Sequence, residues 1–140
     1  MRRILLILIT LLFIPTGAYA ARGPASFSIG RSLIAASSSP GNVYLAGVSV
    51  VDTAPVFGDL SAVGGSVVTT APVSGDELLF AGSASSRAPV SGDVRAVGGG
   101  VTIEGPINGD LVALGFSVHD SSRTQGSTFI IAVDTTLSNG

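Results

Sequence analysis

Four aspartates stand seventeen residues apart, Asp59, Asp76, Asp93 and Asp110, each directly after a glycine. Carboxylates in such a series have two kinds of chemistry open to them. Stacked oxygens can hold a hard cation such as Ca²⁺, which takes carboxylate ligands. Alternatively, each side chain accepts a backbone N–H and caps its own turn. One interval earlier the same place is held by Asn42. Asn caps a turn as well as Asp does and carries no charge, so turn capping is the expectation and a Ca²⁺ ladder the weaker alternative. The calcium-binding nonapeptide of parallel β-rolls is absent.

Other chemistry is sparse. His119 is the single histidine and precedes Asp120. A Ser-His-Asp triad needs a positioned nucleophile, and no G-x-S-x-G turn surrounds a serine here. The chain has no cysteine, which excludes disulfides, thiolate metal sites and cysteine nucleophiles. Glycoside cleavage needs two carboxyl groups flanking one bond, whereas these carboxylates fall mostly in one recurring turn. No catalytic residue, cofactor or nucleotide site is expected, and the chain reads as a non-enzyme.

The elements that position the aspartates emerge when the chain is written in rows of seventeen from Ser37. The rows are SSSPGNVYLAGVSVVDT, APVFGDLSAVGGSVVTT, APVSGDELLFAGSASSR, APVSGDVRAVGGGVTIE, GPINGDLVALGFSVHDS and SRTQGSTFIIAVDTTLS. They align without a gap. The fifth place is always glycine: Gly41, Gly58, Gly75, Gly92, Gly109 and Gly126. A fixed Gly beside Asp or Asn marks a turn in every unit, and a fixed period marks a repeat architecture. Seventeen residues suit one coil of a β-solenoid.

The apolar columns agree. The third place carries Val56, Val73, Val90 and Ile107; the seventh carries Leu60, Val94 and Leu111; the ninth carries Leu45, Ala62 and Leu79; the fourteenth carries Val67, Val101 and Val118. Places seven and nine share one face of a strand. That face points into the coil, where each residue stacks on its equivalent about 4.8 Å away. The fold class is therefore all-β, a single-stranded parallel β-helix of about six coils. No coil can bury its own inner face; its neighbours do so. Glu77 breaks the seventh column, and a lone buried carboxylate is costly, so a local register slip is expected to turn it outward. The last row loses Pro and Asp and gains Phe129, Ile130 and Ile131, an apolar end suited to self-association.

Residues 1–20, MRRILLILITLLFIPTGAYA, read as a secretory signal peptide. Two arginines precede an apolar stretch, and Ala18-Tyr19-Ala20 offers a small-x-small cleavage site. The apolar stretch makes roughly 16 Å of helix, too short for a hydrocarbon core of about 30 Å. Residues 21–36 form a leading strand or cap, and 37–140 the solenoid. After residue 20 remain five Arg and nine acidic residues, a net charge of about −4 without a basic cluster, so nucleic acid is not an expected partner.

The segment APVSGDVRAVGGGVTIEGPINGDLVAL resembles the bactofilins, polymer-forming cytoskeletal proteins of bacteria, through Gly58-Asp59-Leu60, Gly92-Asp93-Val94 and Gly109-Asp110-Leu111. The resemblance spans roughly residues 40–137. It implies a right-handed β-helix that joins end to end without nucleotide and has no catalytic residues. Bactofilins are typically cytoplasmic, so the leader makes this chain an exported variant, destined for the periplasm, cell envelope or exterior. The expected partner is a further copy of the chain, with the membrane or peptidoglycan and other polysaccharides as additional ones. The alternative expectation is an exported adhesin or polysaccharide-binding module.

Overall fold

The computed structural model describes residues 23–138. The leader and its cleavage site lie outside the described residues. Seven strands follow one another: β1 (Gly23–Ala35), β2 (Gly41–Asp52), β3 (Leu60–Thr69), β4 (Glu77–Ser86), β5 (Val94–Ile103), β6 (Leu111–Asp120) and β7 (Thr128–Leu137). Each pairs in parallel with its sequence neighbours, in the order β1-β2-β3-β4-β5-β6-β7. The chain is a parallel β-solenoid with coils of seventeen residues. Leu60, for example, pairs with Val43 on one side and Glu77 on the other.

Each coil bends three times. Pairing runs from Val43↔Leu60 to Gly47↔Gly64, skips one residue at the glycine-rich corner, and resumes at Ser49↔Ser66. A third, shorter ladder links Ser39, Val56, Val73, Val90, Ile107 and Thr124. The inner faces of these ladders close on one core of Val, Leu, Ile and Ala. Leu60, Leu79, Ile103, Ile107 and Leu111 are its largest fully buried apolar side chains. The lumen residues expected from the sequence, Val56, Leu60, Val67, Val73, Val90, Val94, Val101, Ile107, Leu111 and Val118, are all buried in it.

The segment ahead of the six rows is a leading strand, β1, so seven strands are stacked among the described residues. It pairs with β2 from Ser26↔Val43 to Ala35↔Asp52, after a bulge between Gly23 and Ser26. Phe129, Ile130 and Ile131 lie on β7, the last described strand, where alternation points Phe129 and Ile131 outward while Ile130 packs against the core. One expectation about the fold is corrected: Glu77 does not slip out of register. It pairs with Leu60 and Val94 and lies within the lumen, 1% exposed. Continuous pairing along β4 holds it there: a one-residue slip would expose every inward side chain of that strand.

Candidate functional site

The aspartate column is an inter-coil ladder. Asp59 N–H donates to Asn42 Oδ1 at 3.0 Å, Asp76 N–H to Asp59 Oδ1 at 3.1 Å, and Asp93 N–H to Asp76 Oδ1 at 2.9 Å. Asp110 N–H continues to Asp93 Oδ1 at 2.9 Å and Ser127 N–H to Asp110 Oδ1 at 2.7 Å. Each side chain thus caps the turn of the following coil, not its own as the sequence led one to expect. The glycine column is explained by the same contact. No described glycine has a positive φ, so backbone freedom is not the reason. Instead, a Cβ on Gly75, Gly92, Gly109 or Gly126 would collide with the Oδ1 of Asp59, Asp76, Asp93 or Asp110, respectively. Gly58 meets Asn42 Oδ1 in the same way, and Gly41 meets the backbone of Gly23 and Pro24.

With each Oδ1 committed to an N–H, a cation would have to use the second oxygens. Arg95 already reaches two of those, lying 2.9 Å from Asp93 Oδ2 and 3.9 Å from Asp76 Oδ2. Among the described residues, no group of three or more acidic or imidazole side chains converges on a point where a metal ion could sit. His119 pairs with Thr102 and Thr136 on the strand face opposite to buried Val118, so it points outward.

A second polar site lies inside the lumen. Asp52, Thr69 and Ser86 occupy one inward column in successive coils, and Glu77 stands among them; all four are 1% exposed. Ser86 Oγ donates to Glu77 Oε2 at 2.5 Å. Asp52 Oδ2 and Glu77 Oε1 are buried without a partner. Burial raises the Glu77 carboxyl above its ordinary range, opposed by hydrogen bonds from Ser86 and Thr69 and assisted by the Asp52 charge. Burial also pushes Asp52 up to about 6, against a lowering backbone hydrogen bond at Ala54. Burial thus disfavours the charged form of both carboxyl groups. Sequence reasoning missed the site because it read the seventh, ninth and fourteenth columns as inward but not the sixteenth. The signal was present, since places fourteen and sixteen share one strand face.

The third site is the pair of ends. Within the described residues, β1 and β7 are each paired on one side only, so each presents an unpaired backbone edge. The mouth at β1 is a cavity of about 460 Å³ lined by Ser26, Ser28, Ser39 and Asp52 with Val43 and Leu45 at its floor. The mouth at β7 is lined by Thr124, Thr128, Asp120 and Leu137.

No protein-family model matches the chain, and comparisons with curated proteins and with solved structures found no match either.

Proposed function

We propose that this chain is an exported, bactofilin-like structural protein that joins end to end into a polymer or scaffold of the bacterial cell envelope. The reading rests on β1 and β7, each of which is paired on one side only among the described residues. Continuing the seventeen-residue register across a joint sets Phe129 on Phe27, Ile131 on Ile29 and Thr128 on Ser26, so the two end coils carry like residues at like places. Asp134 then stacks on Ser32, one place along from Arg31. A contact of β7 on β1 is heterologous and does not close on itself, so it extends into a filament. Neither nucleotide nor metal has a part in it.

The test is negative-stain electron microscopy of residues 21–140, with and without Ca²⁺ and without nucleotide. Filaments in both conditions support the proposal. Isolated rods of one coil stack overturn it and favour a second reading, a binding module. For that reading the supporting observation is an outward hydroxyl ladder, Ser49, Ser66 and Ser83 in successive coils, at the even spacing of an ordered surface. Pull-down with peptidoglycan or other envelope polysaccharides would test it.

A further inference from the structure

One side of the rod is predominantly apolar. The outward residues of the first ladder are Phe27 and Ile29 on β1, Tyr44 and Ala46 on β2, Ser61 and Val63 on β3, and Leu78 and Phe80 on β4. They continue as Arg95 and Val97 on β5, Val112 and Leu114 on β6, and Phe129 and Ile131 on β7. Phe27 is 69% exposed, Phe80 59% and Phe129 57%. With Ile29, Tyr44, Val63, Leu78 and Ile131, these side chains present on the order of 800 Å² of apolar-rich surface, the share each partner brings to an interface of standard size. The largest apolar patch on an ordinary monomer is about 300–600 Å². The second ladder, by contrast, carries Ser49, Ser66 and Ser83 outward.

The order of residues along this face is nearly palindromic about β4. Both ends carry Phe-x-Ile, the centre carries Leu78 and Phe80, and the two polar residues, Ser61 and Arg95, stand one coil to either side of the centre. We propose that two copies of the chain pack through this face with their rods antiparallel, about a twofold axis along β4. In that arrangement Phe27 and Ile29 meet the second copy's Phe129 and Ile131. Tyr44 meets Val112 and Ala46 meets Leu114, large against small, as interdigitating faces require. Ser61 meets Arg95, polar against polar, and Val63 meets Val97. Leu78 and Phe80 meet themselves at the axis, a self-complementary contact of the kind a twofold interface demands.

The other twofold packing, with rods parallel, fails on the same residues. It sets Arg95 against Val97 and Ser61 against Val63, and brings the two Arg95 side chains together at one level. The antiparallel pairing keeps those arginines two coils apart, roughly 10 Å along the rod, each already beside Asp93 and Asp76. The pairing uses the outward face and leaves the β1 and β7 edges free, so it is independent of end-to-end joining.

The test uses residues 21–140, which carry all the described coils. The natural sequence has no cysteine, so single cysteines report position cleanly. With a short bis-maleimide, Leu78→Cys is expected to cross-link to itself. Ser61→Cys and Arg95→Cys are expected to cross-link when mixed, and poorly when alone. Sedimentation should show Phe80→Asp weakening the pair by about 100-fold or more, because both copies lose a central aromatic. Self-linking of Ser61→Cys and Arg95→Cys with no mixed product would overturn the antiparallel arrangement. A Leu78→Cys protein that never cross-links overturns the pairing, whether or not filaments form. So does a monomer that instead binds phospholipid vesicles through this face, which would assign the face to lipid.

Discussion

Single side chains in this solenoid answer to their neighbours in the next coil. Glu77 shows this most clearly, because it occupies a column of Leu and Val and is held there by the strand. Its carboxyl binds a proton more tightly folded than unfolded, so the native state holds more protons as pH rises from about 4.5, and stability falls. Asp52 acts in the same direction between about 4 and 6. Thermal melting should therefore rise by several degrees on going from pH 7 to pH 5. Glu77→Gln should stabilise the fold at pH 7 by on the order of 1–3 kcal/mol and flatten that dependence, as urea unfolding at several pH values would read. The glycine column makes a second, sharper case. Gly92→Ala puts a Cβ against Asp76 Oδ1 and the Gly75 backbone and should cost roughly 2 kcal/mol or more. Gly100→Ala meets open space and should be close to neutral, which separates crowding from chain entropy. Asp93→Asn keeps the acceptor for Asp110 N–H, as Asn42 does for Asp59, and should be mild. Asp93→Ala removes it and should cost about 1 kcal/mol in chemical denaturation.

At the scale of the strand, alternation decides which residues hold coils together. Val90 and Leu111 are buried in the third and seventh columns, and both belong to the common core. Asp at either place buries an unpaired charge. Val90 stands between Val73 and Ile107 in its column, and Leu111 between Val94 and Thr128, so neither meets a cationic partner there. Val90→Asp and Leu111→Asp should each abolish the folded state, with loss of the β signal in circular dichroism. The third, seventh, ninth and fourteenth columns were legible because Val, Leu, Ile and Ala dominate them, even with Glu77 breaking the seventh. The sixteenth was not, because Asp52, Thr69 and Ser86 look like solvent-facing residues until the second ladder is known to extend to them.

At the scale of the whole stack, β1 and β7 are each unpaired on one side among the described residues, and one outward face is rich in apolar residues. Thr135 is exposed at the β7 end and occupies an inward column. In an end-to-end joint it lies over Leu33. Thr135→Arg should leave the isolated rod folded, since the side chain has room there, and yet block joining by placing a charge in a sealed lumen. Electron microscopy of this variant should show short rods where the parent forms filaments. Sedimentation of the same variant reads lateral pairing by itself, so edge and face contacts are told apart.

Period alone determined that this chain coils: six gapless rows with glycine at one place admit little besides a solenoid. The inward identity of Val56, Leu60, Val90 and Ile107 follows from the two-residue alternation of a strand. Tertiary structure decided the rest. Whether an aspartate caps its own turn or that of the next coil depends on how closely coils stack, which no single row contains. The same closeness, and not left-handed backbone, is what makes the glycines obligatory. Stacking also kept Glu77 inside, because the pairing of a whole strand outweighs the preference of one carboxyl group for water. It likewise gathered Phe27, Phe80 and Phe129, far apart in the chain, onto one side of the rod.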